Sequence, residues 1–194
     1  LLYVIVSEPL CALLKANTNI SCINIDSQCS SLLYQHADDL TVTVSNNESV
    51  GQVFKTIDYF CNATGGKVNY GKSEVLCLGK SKHNGITVNI PISIKFDCVK
   101  ILGVFLGPDK SMCDKNNWKQ KIAKIKSLFG LWSQRRLTLQ GKSLIINTFI
   151  YSRLWYLVHV QAVPDWAINE IEKCVNNFLW SGKRPLIKKN TIIG

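Results

Sequence analysis

The spacing of apolar residues changes once along this chain, and that change limits the folds open to it. Up to about residue 108, short strand-like runs alternate with helical stretches; from Asn116 onward the apolar residues recur only at helical spacing. In "NWKQKIAKIKSLFGLW", Trp118, Ile122, Ile125, Leu128 and Phe129 form one stripe with lysines opposite. Thr138 is placed to cap a second, longer helix through "LQGKSLIINTFIYSRLWYLV". Pro164-Asp165 starts a third helix, which carries Trp166, Ile168, Ile171, Val175, Phe178 and Leu179. A mixed module over residues 1–110 is thus followed by a helical module over 111–194, an α+β chain with its junction near 108–115.

The first module reads as follows. Residues 1–16 are apolar, with Leu10, Leu13 and Leu14 at helical spacing and a kink or second start expected at Pro9. "SCINI" (21–25), "SLLYQHA" (31–37) and "LTVTV" (40–44) read as strands, and almost no loop separates the last two, which predicts a tight hairpin. "SNNESVGQVFKTIDYFCNATGG" reads as a helix with Val50, Val53, Phe54 and Ile57 on one face. Asn46 or Asn47 caps its start, and Gly65 fits its stop. Short strands are expected at 67–69, 74–78 and 86–88, and one longer strand over 99–106 with a bend at Gly103, ended by Gly107-Pro108-Asp109.

Charge separates the chain further. Residues 1–60 hold 2 Lys/Arg and 6 Asp/Glu, whereas residues 61–194 hold 21 and 7; from residue 115 the balance is 14 to 3. A basic half beside an acidic one points to a polyanion partner for the first and to cations for the second. The plainer reading is a basic surface without a partner. The eight cysteines show no C-x-x-C spacing and several lie in apolar runs, so they read as small buried side chains in a reducing, intracellular compartment. The best membrane candidate, 144–163, carries Arg153 and His159 and makes a poor span, so no membrane partner is expected. The five tryptophans share stripes with Ile and Leu, and most read as core. The chain begins with Leu1 and its one methionine is Met112, so it reads as a piece of a longer product.

Two motifs carry chemistry. "GKVNYGKS" (66–73) matches the phosphate-cradling pattern G-x-x-x-x-G-K-[ST], but that loop needs a strand before it and a helix after it. Here the order is reversed, which argues against a nucleotide hydrolase and for a glycine-bearing turn. The other motif is "HADDLTV", with Asp38 and Asp39 adjacent at the hairpin tip. Taken alone it is either a polar turn or half of a two-metal site, in which carboxylates hold two Mg²⁺ ions about 4 Å apart.

The motif order adds to this reading. "SEPLCALLKAN", "HADDLTV", "NYGKSEVLCLG", "KILGVFLG", "WSQRRLTLQGKSLIINTFIYSRLWYL" and "NNFLWSGKRPLI" occur in turn. Nearly the whole chain thereby resembles the palm and thumb of non-LTR (LINE-type) retrotransposon reverse transcriptases. The resemblance implies part of a right-hand polymerase palm, antiparallel strands with helices, followed by an α-helical thumb. It implies RNA-directed DNA synthesis by two-metal nucleotidyl transfer, with Mg²⁺ held by Asp38 and Asp39. Lys72 matches a lysine implicated in protonating the leaving pyrophosphate. His36 stands where the family has an aromatic beside the primer end, and Gly103 lies in the strand that grips the primer. Arg135, Arg136 and Lys142 match the segment that contacts the duplex. The implied partners are template RNA, primer DNA, dNTP and the upstream fingers and palm, which would supply a further metal aspartate; the implied location is cytoplasm and nucleus. The alternatives are a non-catalytic nucleic-acid-binding relic of such an element and, less favoured, the P-loop hydrolase.

Overall fold

A computed structural model describes residues 2–26, 29–31, 33–79 and 91–184. Its contacts divide the chain into two units, residues 1–102 and 103–194.

In the first unit, helix α1 (Leu2–Ala16) continues through Pro9 without a second start. Its inward residues are Ser7, Cys11 and Leu14, spaced four and three apart, and Leu14 is fully buried. Asn17 turns the chain out of α1 and ties it to helix α2 (Asn47–Thr64), its amide donating to the Thr56 hydroxyl at 3.0 Å. α2 forms where its caps predict: the Asn46 side chain accepts the Ser49 amide proton, and Gly65 closes the helix in the left-handed region at φ 73°. Buried Ser49 accepts the Ser21 amide proton at 2.8 Å, fixing the segment between the helices.

Strands β1 (Ile23–Asp26) and β2 (Cys29–Ser31) pair antiparallel, as do β3 (Leu33–His36) and β4 (Asp39–Val42). Of the strand expected over 31–37, residues 33–36 form β3, and Ser31 ends β2. Leu33, Leu40 and Val42 pack on Leu14, Ile20 and Val53, which seats the second hairpin on α1 and α2. Strand β5 (Glu74–Leu76) pairs with β6 (Ser93–Lys95) in parallel. A parallel pair needs a long crossover, which lies largely outside the described residues, as does the strand expected at 86–88. Residues 67–69 form no strand.

Residues 99–106 differ from the expected bent strand. They form β7 (Val99–Ile101) and β8 (Val104–Leu106), separated by Leu102 and Gly103 at φ 47° and 86°. Two successive positive φ angles are those of a type I′ turn, which reverses a chain rather than bending it.

The second unit is built on helix α3 (Lys110–Ser133), which starts ahead of Asn116 because the Asp109 carboxylate accepts the Met112 amide proton at 3.0 Å. Its buried face is Cys113, Asn117, Trp118, Ile122, Ile125 and Phe129. Thr138 caps helix α4 (Leu139–Ile145) as expected. The helical path then widens into a π segment (Ile146–Tyr151) before helix α5 (Ser152–Val160). In a regular α-helix Ile145 and Ile150 would sit about 140° apart; the wider turn brings both to the core. Helix α6 (Asp165–Trp180) follows Pro164 and stacks Phe178 on Phe129, ring centres 4.5 Å apart.

Val104 is buried in this helical core, so β8 belongs with the helices. One side chain pins it there. The Asn117 amide accepts from the Phe105 N–H and donates to the Phe105 carbonyl, both at 2.8 Å, as a neighbouring strand would. Its second proton goes to Gln161 Oε1 at 2.8 Å, and Gln161 Nε2 donates in turn to Asp114. Asn117→Leu should destabilise the helical unit by roughly 2–4 kcal/mol, because it strips two backbone groups of their partner. Urea denaturation followed by tryptophan fluorescence measures this.

Candidate functional site

The β3–β4 hairpin pairs Leu33 with Val42, Tyr34 with Thr41, Gln35 with Leu40 and His36 with Asp39. Only Ala37 and Asp38 remain for the turn. Strand alternation then assigns the faces: Leu33, Gln35, Leu40 and Val42 face the helices, and Tyr34, His36, Thr41 and Asp39 face away. Asp38 occupies the apex and Asp39 the first strand position, directly opposite His36. Both carboxylates are exposed, as is His36. Among the described residues no ion pair or side-chain hydrogen bond engages either aspartate.

The turn is strained at one residue. Ala37 has φ 52°, whereas Asp38 does not enter the left-handed region. A positive φ at the first central residue alone is the pattern of a type II′ turn, which prefers glycine there. Neighbouring side chains hold the alanine in place. Gln35 Nε2 donates to the Ala37 carbonyl at 3.1 Å, and Gln35 Oε1 accepts from the Cys11 thiol of α1. Strain persists where surroundings over-determine it, and such places cluster at functional sites.

Lys72 sits in a separate turn of the same unit. Its N–H donates to the Asn69 carbonyl and side-chain oxygens at 3.0 and 3.2 Å, and the Ser73 hydroxyl donates to the same carbonyl. The turn is fastened to α2 by Tyr70, whose hydroxyl donates to Asp58 at 3.1 Å and whose ring lies 6.3 Å from that of Phe54. Partial burial, then the Asp58 carboxylate, push the Tyr70 hydroxyl above the usual phenol range. Tyr70 and Asp58 were not singled out from sequence, and Phe54 was read only as part of the apolar face of α2, one helical turn before Asp58. Helix, turn and strand follow one another from α2 to β5, so the "GKVNYGKS" segment lacks the strand-then-helix setting of a phosphate loop.

The remaining candidates lie at the unit boundary and in the helical unit. Gly103 serves its turn: a Cβ there would meet nothing within 4 Å, so its backbone angle rather than a close approach calls for glycine. Arg135 and Arg136 are exposed in the link between α3 and α4, and the Arg135 guanidinium lies 4.7 Å from the Trp132 ring centre. Lys142 is half-buried. Its ammonium donates to the Leu179 carbonyl at 3.1 Å and to the Ser181 hydroxyl at 2.5 Å, beside the Phe178 ring, so it closes the C-terminus of α6. Among the tryptophans, Trp118 is fully buried and Trp132 and Trp180 are partly so, but Trp155 and Trp166 are exposed, contrary to a mostly core assignment.

The described residues contain no group of three or more His, Cys, Asp or Glu that could enclose a metal. Asp38 and Asp39 still fit a share of a Mg²⁺ shell, since that ion is commonly held by one or two carboxylates together with waters and substrate phosphates. No helix among the described residues is long and apolar enough to cross a membrane. Cys11 and Cys77 are buried, and burial pushes both thiols up, away from the reactive thiolate.

Glycine at position 37 should relieve the turn. Ala37→Gly is expected to raise stability by up to about 1 kcal/mol, and Ala37→Val to lower it by a similar amount or more. Denaturant midpoints of the two variants against the parent chain give the sign.

No family model matches the chain. It is 25% identical over 186 residues to the transposon TX1 uncharacterized 149 kDa protein of Xenopus laevis, an alignment that covers 94% of this chain and 14% of that protein. The chain thus spans about one seventh of this relative's length, and it is similar to part of a transposon protein.

Proposed function

We propose that this chain is the C-terminal palm and thumb portion of a non-LTR retrotransposon reverse transcriptase. The observation that carries the reading is the hairpin tip: two adjacent exposed carboxylates, Asp38 in a strained two-residue turn braced from α1 and Asp39 at the strand start beside it. Similarity to a transposon protein along nearly the whole chain supports it. A turn that served only to reverse the chain would be better made with glycine at position 37.

In this reading the Asp38 and Asp39 carboxylates offer oxygens to Mg²⁺, together with an aspartate from the upstream palm. When bound, Mg²⁺ would supply activation of the attacking primer hydroxyl and neutralisation of the leaving pyrophosphate. His36, opposite Asp39 on the outward face, offers its ring to the primer end. Lys72 Nζ carries the proton for the pyrophosphate, and the Asn69 and Tyr70 contacts hold its turn on α2. Arg135 and Arg136 take phosphates of the template–primer duplex, whereas Lys142 first secures the end of α6.

Primer extension on an RNA template tests this. A longer polypeptide that adds the upstream palm and fingers should extend the primer, and the 194-residue chain alone should not. In the longer polypeptide, Asp38→Ala should lower the extension rate by at least about 100-fold, the loss of several kcal/mol of transition-state stabilisation. Duplex binding should stay within about 3-fold, because the cations that neutralise phosphates lie elsewhere. Near-normal synthesis by the Asp38→Ala variant would sink the site assignment. A polypeptide that binds template–primer but never extends it would instead match the binding-only alternative, which the basic helical unit permits.

A further inference from the structure

The helical unit presents aromatic rings at its surface, and along one flank they lie among cations. Trp132 near the end of α3 lies against Phe149 of the π segment, ring centres 5.7 Å apart, with the Arg135 guanidinium over the indole. Four residues after Phe149 comes Arg153, and three later Tyr156, so the three share one side of the helical path. Lys121 of α3 donates to the Arg153 carbonyl at 3.4 Å, which brings α5 alongside α3 at this point. Phe149 is 39% and Tyr156 50% exposed, and Arg135 and Arg153 are both exposed. The result is a strip running Arg135, Trp132, Phe149, Arg153, Tyr156 with Lys121 at its edge.

The charge along the strip has one sign. The acids of residues 103–194 are Asp109, Asp114, Asp165, Glu170 and Glu172, none at a strip position. Asp114 is engaged by Gln161, and Glu170 is paired with Lys126 at 2.5 Å. Rings set between guanidinium groups suit a polyanion that also presents flat apolar faces.

We propose that this strip binds unpaired nucleic acid, with bases stacking on Phe149 and Tyr156 and phosphates meeting Arg135, Arg153 and Lys121. A duplex would use only the cations, because its bases are already stacked on each other. An unpaired strand can use both, which is how sequence-tolerant single-strand binders combine rings with a basic track. Arg135 thereby serves the strand ahead of or behind a duplex, and the strip works whether or not Asp38 and Asp39 hold metal.

The 194-residue chain itself is the test material. Anisotropy of a labelled single strand of about 12 nucleotides and of the matching duplex is measured across a salt series. The single strand should bind more tightly than the duplex. Tyr156→Ala should raise its Kd by about 5-fold or more while changing duplex Kd less than about 2-fold. Arg153→Gln should flatten the salt dependence for the single strand by about 0.7 in log–log slope. Both residues are exposed, and unchanged thermal melting confirms that each variant folds. Equal loss on both ligands, no effect of Tyr156→Ala, or no single-strand binding at low salt would overturn the assignment. So would concentration-dependent self-association abolished by Tyr156→Ala in the absence of oligonucleotide binding, which would make the strip a protein interface.

Discussion

Ser49 is fully buried, and its hydroxyl accepts the Ser21 amide proton. That bond sits one turn into α2 and sets where α2 lies against the segment leaving α1. Three further attachments depend on that placement. Thr56 receives Asn17 from α1, Val53 receives Leu40 and Val42 of the hairpin, and Asp58 receives Tyr70. The carboxylate-bearing hairpin and the lysine-bearing turn are thus both referred to one helix. Rigidity between candidate groups comes here from a shared support, as preorganised sites generally require.

Local chemistry made part of this legible in the sequence. Asn46, Thr138 and Gly65 mark helix ends because capping is decided within a few residues, and the hairpin at Ala37–Asp38 was visible because strand alternation ran up to it from both sides. Features decided at a distance were not legible. The parallel pairing of β5 with β6 depends on a crossover, and the left-handed conformation of Leu102 defies a side chain that ordinarily avoids it. Pro9 was read as a kink or a second start, and the helix continues past it with Ser7, Cys11 and Leu14 on its inward face. For the candidate site the residue types were readable, but the bracing of Ala37 by Gln35 and of Lys72 by Tyr70 required coordinates. Lys142 shows the opposite case: its charge was visible, but its engagement with α6 was not.

Electrostatics distinguish the units. The first unit carries its candidate carboxylates on an exposed tip, where water and incoming ions compete for them. The second spreads cations over helices whose inward faces hold Trp118, Ile125 and Leu157 almost wholly out of water. Binding to a polyanion by such a surface falls with salt, whereas the apolar interior beneath it does not. Salt should therefore separate what the helical unit binds from what keeps it folded.

The π segment has a consequence for how this surface can vary among related chains. It contains about one more residue per turn than its flanks, so it takes up one extra residue without turning α5 relative to α4. Loss of a single residue between Ile146 and Tyr151 would let a regular helix form there, and five residues at about 100° each turn the path about as far as six do in the wider helix. Leu154 and Leu157 would then keep to the core, and Arg153 and Tyr156 to their flank. The outer face of α5 therefore tolerates a one-residue shortening in this six-residue segment that a regular helix would not absorb.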